Sequence, residues 1–412
     1  MRRAANGKLG VAALLAVLGP GLLAGLSDDD PAGITTYSVL GADHGYRLLW
    51  VLLLSTIALV VFHGLAVSMG VVTGQGLIGL VRQRYGVRIG AAALAALVVA
   101  NVGTTCAEFA GIAAGFELFG VTRLISVPTA AVVVSLLVLR GSFHRVEHVL
   151  LLLSTVFLAY IASGLMSHPD WGEALRGTFV PSVSLDRDSI AIVTATLGTT
   201  LAPWGLSFIQ SYAVDKKLRI KDLGLERVDV VIGAVLTGVI GFFVVVACAA
   251  TLHRSGGQIV DAADAAVALR PLAGAAAGKL FAIGLIGSAL LAASVLPLST
   301  AYSVCEYAGF EAAIDDPLRE ARTFYVTFGV VTIAGALPVL VPDAPLVAIL
   351  VGTQVLNAVL LVPLLVAMVG IARDRNLMGR YAIGRFGALA YSLTTAVVVV
   401  CVAALGVTSL TG

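Results

Sequence analysis

The sequence predicts an all-α integral membrane protein of eleven transmembrane helices. It is arranged as a five-plus-five inverted repeat with one helix appended, and spans 1 and 6 are discontinuous. Three observations carry this. The 412 residues are 59% hydrophobic and 12% charged, with a mean hydropathy of +1.00, whereas a soluble globular chain carries roughly 25% charged residues. Apolar runs of about 20 residues, the length that crosses a bilayer, recur from end to end. Two of these runs are broken by the same chemistry, Ser27-Asp28-Asp29-Asp30-Pro31-Ala32-Gly33 and Gly198-Thr199-Thr200-Leu201-Ala202-Pro203-Trp204-Gly205, at matching places in two halves.

In order, the predicted spans are 10–41, 46–70, 89–118, 122–140, 146–166, 188–213, 228–252, 274–305, 321–341, 345–371 and 384–409. The first follows Arg2, Arg3 and Lys8, as a signal peptide would. It lacks a small-residue cleavage site, and its acidic cluster fits no signal-peptide region, so it reads as a retained span. The run 274–305 is long and holds Pro297, which predicts a kink or an extension beyond the bilayer. Basic residues collect in cytoplasmic loops. A cytoplasmic N-terminus puts Arg2, Arg3, Lys8, Arg82, Arg84, Arg88, Arg140, Arg145, Lys216, Lys217, Arg219, Lys221, Arg227, Arg319, Arg322, Arg373, Arg375, Arg380 and Arg385 on that side, most of the 26 Lys and Arg. The C-terminus is then outside. The odd count inverts 188–371 relative to 10–166 and leaves 384–409 over. No soluble domain is expected, so 1–412 reads as one transmembrane domain of the plasma membrane.

Several classes fall away. A net charge of +2 suggests no nucleic-acid partner. Cys106, Cys248, Cys305 and Cys401 are isolated in or beside apolar runs, with no CxxC, so neither a zinc site nor a disulfide framework is indicated. No Ser/His/Asp arrangement, phosphate loop or cofactor fingerprint points to an enzyme, and no cofactor is implied. The expected partners are the lipid bilayer and a transported species, with no obligate protein partner evident.

The two breaks indicate what is transported. Pro31 and Pro203 each remove a backbone donor and clash with the preceding turn, so Asp30–Gly33 and Ala202–Gly205 are expected to unwind. Irregular backbone survives at membrane depth only inside protein or beside a wet cavity. Freed carbonyls and the negative end of the first half-helix attract cations there, and Asp30 adds a formal charge. A cation site between spans 1 and 6 follows. A bare pair of proline kinks is the plain alternative, but it leaves three consecutive aspartates unexplained. Consecutive helical residues point about 100° apart, so at most one of Asp28 and Asp29 faces the cavity with Asp30. They line an exit path or pair elsewhere.

Further stretches carry a resemblance. Gly19-Pro20-Gly21-Leu22-Leu23, the Asp30-Pro31 break, Gly45-Tyr46-Arg47-Leu48-Leu49-Trp50-Val51-Leu52-Leu53, Gly70-Val71-Val72-Thr73-Gly74-Gln75 and Ala107-Glu108-Phe109-Ala110-Gly111 resemble the NRAMP family of divalent-metal transporters. The likeness is dense over 19–120 and around span 6 and thinner after about 230. It implies eleven or twelve spans in the five-plus-five fold first described for amino-acid transporters, the LeuT-like architecture. The departures matter as much. The family's Asp-Pro-Gly-Asn becomes Asp30-Pro31-Ala32-Gly33, which keeps the ligand aspartate and loses the ligand asparagine. Its Met-Pro-His becomes Ala202-Pro203-Trp204, without thioether or imidazole. An aspartate of span 3 becomes Thr105, with Glu108 kept. This set is similar to the divergent NRAMP-related magnesium transporters.

The chemistry leads to the same metal. A thioether is a soft ligand that favours transition ions, and Ala202 supplies none. The remaining donors are hard oxygens: Asp30, carbonyls near Thr199, and Gln354 of span 10, where the resemblance implies a glutamine near the ion. Gln354 and Asn357 share a helical face, and helix-to-helix hydrogen bonding is their alternative role. Gly33 and Ala202 are small, so the cavity is expected to be wide. Mg²⁺ sheds water reluctantly and suits such a site, and Mn²⁺ would also be admitted.

Asn101, Thr105 and Glu108 recur at helical spacing as one polar stripe, which in the family helps carry protons. With Thr105 and Trp204 in place of an aspartate and a histidine, import without tight proton coupling is expected. Glu108 and His63 of span 2 remain candidate relays, or else satisfied bundle residues. Voltage alone suffices, since two charges falling through 100 mV yield roughly 4.6 kcal/mol, about a thousandfold accumulation. The alternatives are a proton-coupled Mn²⁺/Fe²⁺ transporter, an amino-acid transporter on the same scaffold, and a channel-like pore.

Overall fold

The structure, a computed structural model, describes residues 20–139, 155–182, 184, 186–260, 262–310 and 318–411. Among these the regular elements are all helical. The broken first span gives α1 (Pro20–Asp28) and α2 (Pro31–His44). Then follow α3 (Leu49–Thr73), α4 (Leu77–Tyr85), α5 (Val87–Glu117), α6 (Arg123–Leu139), α7 (Ala159–Met166) and α8 (Trp171–Phe179). The second break divides α9 (Arg187–Thr200) from α10 (Pro203–Asp215), after which come α11 (Leu223–Cys248), α12 (Ala277–Ala308), α13 (Arg322–Val339), α14 (Leu346–Ala372) and α15 (Arg385–Thr411).

Eight segments among the described residues are long and apolar enough to cross a membrane, with Arg187–Asp215 counted as one across its break. The apolar α6 is shorter. The predicted spans 10–41 and 146–166 fall partly outside the described residues. The long run at 274–305 is a single helix through Pro297. Its 32 residues measure about 48 Å at 1.5 Å per residue, more than the hydrocarbon thickness of about 30 Å. That is longer than an upright crossing requires, and tilt accommodates such excess.

The unwinding is tighter than predicted and displaced by one or two residues. Helix resumes at Pro31 and at Pro203, so Ala32, Gly33, Trp204 and Gly205 are helical. The reason is proline's asymmetry. It drives the preceding residue into extended backbone, yet its fixed φ suits the first position of a helix. Each break is thus confined to the two residues before the second half-helix, Asp29–Asp30 and Leu201–Ala202.

Small residues let the helices approach closely, as in membrane bundles generally. A Cβ on Gly25 would stand 2.6 Å from the Gly233 carbonyl carbon, and one on Gly21 would stand 2.5 Å from the Val230 nitrogen. Two polar contacts lock α1 to α11 there: Gly21 N–H donates to Asp229 Oδ2 at 2.7 Å, and Thr237 Oγ1 donates to the Gly25 carbonyl at 2.5 Å. The other half-helix rests on α11 as well, where Tyr37 lies 2.9 Å from the Cβ position of Gly241. Gly198 of α9 similarly meets the backbone of α14 at Gln354 and Ala358. Large apolar residues such as Ile57, Ile89, Val132, Val330, Val366 and Leu393 remain exposed on the helix faces, as expected where hydrocarbon replaces water.

Candidate functional site

The two half-helix junctions are built alike. Asp30 is extended at φ −75°, ψ 170°, and Ala202 at φ −64°, ψ 138°, each followed by proline at the first helical position. Asp30 caps α2, its Oδ1 accepting from Gly33 N–H at 2.6 Å. Ala202 has no such side chain, so the N-terminus of α10 is uncapped by its own residue.

Three oxygens converge on Gly33. The point a Cβ would occupy there is 2.7 Å from the Asp28 carbonyl oxygen, 3.2 Å from Asp30 Oδ1 and 3.3 Å from Thr199 Oγ1. Thr199 is buried, and its hydroxyl has no hydrogen-bond partner. Glycine at position 33 therefore lets a carbonyl, a carboxylate and a hydroxyl from both broken spans draw together around a point too tight for a side chain, a close junction and not the wide cavity expected from its small size. Glu108 of α5 approaches Asp30, and neither of its carboxyl oxygens makes a hydrogen bond of ordinary geometry. α5 can come this close because Gly111 lies against the Pro31 ring.

The other predicted residues separate into groups. Ala202 and Trp204 belong to one buried apolar cluster with Ala32, Ala107 and Ala110. The Trp204 ring lies 6.5 Å from Phe208, centroid to centroid. Gln354 and Asn357 are buried, but their polar atoms are engaged. Asn357 Nδ2 donates to Gln354 Oε1 and to Thr104 Oγ1, both at 2.9 Å, and Thr104 Oγ1 contacts Asn357 Oδ1 at 3.1 Å. This is helix-to-helix bonding between α14 and α5. The expected single stripe on α5 is divided. Asn101 Nδ2 donates to Thr300 Oγ1 at 2.9 Å, Thr105 packs against Gly335 of α13, and only Glu108 reaches the break. The spacing was helical, but a stripe that runs two turns along one face meets several neighbouring helices in succession. His63 is buried beside Gly205 with neither ring nitrogen partnered.

The ends of the bundle differ. Toward Thr35, Glu117, Leu285 and Leu350 there is a cavity of about 370 Å³. Arg123 stands on its wall, its Nε 2.8 Å from Glu117 Oε1. The opposite end, which holds Arg82, Arg84 and Lys216, is laced shut. Ser211 Oγ donates to Glu306 Oε1 at 2.5 Å, Gln210 Nε2 to the Gln75 carbonyl at 2.9 Å, and Tyr302 OH to Asp215 Oδ2 at 2.8 Å. Ser207 and Ser303 pair at 2.8 Å. Sequence reasoning missed these closing residues. Their signal was present in α10, where Ser207, Gln210 and Ser211 repeat at three- and four-residue spacing.

The model of the Nramp family, described as natural resistance-associated macrophage protein-like, matches residues 21–408. The chain belongs to the Nramp family. Its relatives include a divalent metal cation transporter MntH of Burkholderia ambifaria, 29% identical over 386 residues that cover 91% of this chain and 85% of that protein. The MntH of Aeromonas hydrophila is 30% identical over 379 residues, 89% of each. These relatives are named as transporters, a non-enzymatic class. Among solved structures, the manganese transporter of Eremococcus coleocola superposes with a TM-score of 0.75 at 18% identity, over 97% of this chain and 87% of that one. MhsT in complex with L-phenylalanine gives 0.63 at 17% identity, over 95% and 97%. The Nramp chain thus has the LeuT-like fold that its broken spans suggested.

Proposed function

We propose that this Nramp protein imports divalent cations by alternating access, with Mg²⁺ carried largely hydrated and Mn²⁺ as a second cargo. The observation that carries the reading is the convergence of three hard oxygens from both broken spans at Gly33. Its donors are hard, only one is a formal carboxylate, and none displaces enough water to demand a bare ion. Mg²⁺, which keeps several waters when bound, suits that arrangement. The proposed metal-site residues are Asp30, Gly33 and Thr199, with Ala202 leaving room and Gln354 and Asn357 acting through their hydrogen-bonded network. Among the described residues no methionine shares the buried cluster of Ala202: Met69, Met368 and Met378 lie in a different one, and Met166 is half exposed. MntH relatives named for divalent metal cations support the broader class.

In the proposed topology the N-terminus is cytoplasmic, the plasma membrane is the host, and 10–166 and 188–371 are inverted repeats. The laced end then faces the cytoplasm and the cavity beside Thr35 faces outward. Membrane potential and gradient drive import without tight proton coupling. The second reading, a proton-coupled Mn²⁺/Fe²⁺ transporter, is favoured by the manganese transporter that shares the fold and by the carboxyl of Glu108 beside Asp30.

Uptake of Mg²⁺, Mn²⁺ and Ca²⁺ into proteoliposomes at fixed voltage, with an internal pH dye, separates them. The expected result is saturable Mg²⁺ and Mn²⁺ uptake without matching acidification. Acidification that scales with influx, together with strong competition by Cd²⁺, would establish the second reading instead.

A further inference from the structure

The short helix α8 divides its exposed surface in two. Successive helical residues turn by about 100°, which sets Trp171, Leu175 and Phe179 along one side and Glu173 and Arg176 along another. All five are exposed, while Ala174, Gly177 and Thr178 are buried against the bundle. A helix with aromatic and apolar residues on one side and charge on the other lies in the membrane interface, where Trp is itself enriched. Gly177 packs on the Tyr46 carbonyl just before α3 begins, whereas α3 ends beside Gln75 at the laced end. α8 therefore marks the headgroup level on the side away from the laced end. Two hollows flank its crossing over the start of α3. One, of about 350 Å³, is an apolar groove between α3 and α11, bordered by Thr178. It runs from Leu49 to Val60 along α3, about 16 Å at 1.5 Å per residue. Leu53, Ile57, Val235 and Val239 along it are exposed, so it opens on the face that meets hydrocarbon. The other, of about 420 Å³, is polar and lined by His44, Arg47, Glu173, Arg176 and His253.

We infer that α3, α8 and α11 form a binding site for one phospholipid, with an acyl chain in the apolar groove and the phosphate beside Arg47 and Arg176. Three features select this occupant. The groove is as deep as one leaflet, whose share of a hydrocarbon core about 30 Å thick is about 15 Å. That depth suits an acyl chain and is half of what a transmembrane helix of a second copy requires. The polar hollow carries two guanidinium groups against the Glu173 carboxylate, and guanidinium groups match the geometry of phosphate oxygens. Arg47 donates to Ser184 Oγ at 2.8 Å, which leaves most of its donors for a headgroup. The hollows also adjoin as the two ends of a lipid do: Arg47 and Gly177 line the polar one, and Leu49 and Thr178 the apolar one. In the proposed topology the lipid belongs to the outer leaflet. Its chain lies between α3 of the first repeat and α11 of the second, beneath the segment that joins the repeats.

This site rests on the membrane placement of the chain and not on which ion is carried. The test is native mass spectrometry of the purified full-length protein, loaded with dioleoyl phosphatidylglycerol and washed with detergent. The expected result is one lipid retained per chain. Its occupancy should fall at least tenfold in the Val60→Trp, Val239→Trp double variant, which fills the groove, and severalfold in Arg176→Gln, whose exposed position leaves the packing intact. Val330→Trp, on the exposed face of α13, should retain the lipid as the unmodified protein does. No retained lipid, or equal retention in the groove-filling and Arg176 variants, would overturn the site. A groove-filling variant that instead converts a dimer to a monomer would assign the groove to a second copy of the chain.

Discussion

Replacing Gly33 with alanine adds one methyl at the point where three oxygens meet. The backbone there is helical, so no strained conformation is involved, and alanine gains roughly 1 kcal/mol of intrinsic helix propensity over glycine. The methyl would stand 2.7 Å from the Asp28 carbonyl oxygen and 3.2 Å from Asp30 Oδ1, closer than van der Waals contact, so it must push the oxygens of the break apart. A hydrated ion loses one oxygen contact in consequence. A hydrogen bond to a charged group contributes about 1.5–3 kcal/mol, so affinity should fall about 10- to 100-fold. Mg²⁺ uptake in proteoliposomes, titrated over three decades of concentration, reads this as a raised half-saturation point. Gly33→Asn provides the contrast: it crowds the same point but returns an amide oxygen, and should favour a less hydrated ion, raising Mn²⁺ uptake relative to Mg²⁺. A Gly33→Ala protein with unchanged half-saturation for Mg²⁺ would refute the placement of the ion beside these oxygens.

Asp30→Ala should reduce Mg²⁺ uptake to the level of empty liposomes, since it removes the only formal charge among these oxygens; normal uptake would exclude Asp30 as a ligand. Ala202→Met returns a soft donor to the second break, and should make Cd²⁺ a strong competitor of uptake where the unmodified protein is little affected. Glu108→Gln should preserve voltage-driven Mg²⁺ uptake within a few-fold, and collapse of uptake in that variant, measured at fixed voltage, would put a proton on the transport path. Gly25→Val should cost about 1–3 kcal/mol by overpacking, because its Cβ meets the Gly233 carbonyl carbon at 2.6 Å; a melting temperature unchanged in detergent would contradict the close contact of α1 with α11.

Hydropathy and the two proline breaks made the helical fold and the two broken spans legible, because length and apolarity alone decide what crosses a bilayer. The nearness of Asp30 and Thr199 was also readable, since Asp30 lies in one break and Thr199 ends the helix just before the other. The extent of each break was not. It depended on proline ending one element and starting the next within two residues. Gln354 and Asn357 were recognised as polar, but their partner Thr104 lies some 250 residues away in sequence, and no local pattern records such a pairing. Thr105 was assigned to the interior stripe on helical periodicity. It meets Gly335 instead, because periodicity gives a direction around a helix and not the neighbour found there. Gly33 was singled out for its small size, but the close approach of the Asp28 carbonyl and Thr199 hydroxyl that its size permits was not legible, since it depends on how the two broken spans meet.

Both halves of the broken first span lie along one unbroken helix, α11. Gly21 and Gly25 of α1 press against Val230 and Gly233, and Tyr37 of α2 presses against Gly241. A gap in hydrogen bonding at Asp29–Asp30 would leave the two half-helices free to swing, yet α11 bridges them as a splint bridges a fracture. Its small residues thereby set the angle at which Asp30 is presented. A random screen for transport-defective variants should then return α11 substitutions that touch no ion, clustered at Gly233, Thr237 and Gly241, and suppressors of them should arise across the seam on α1 and α2.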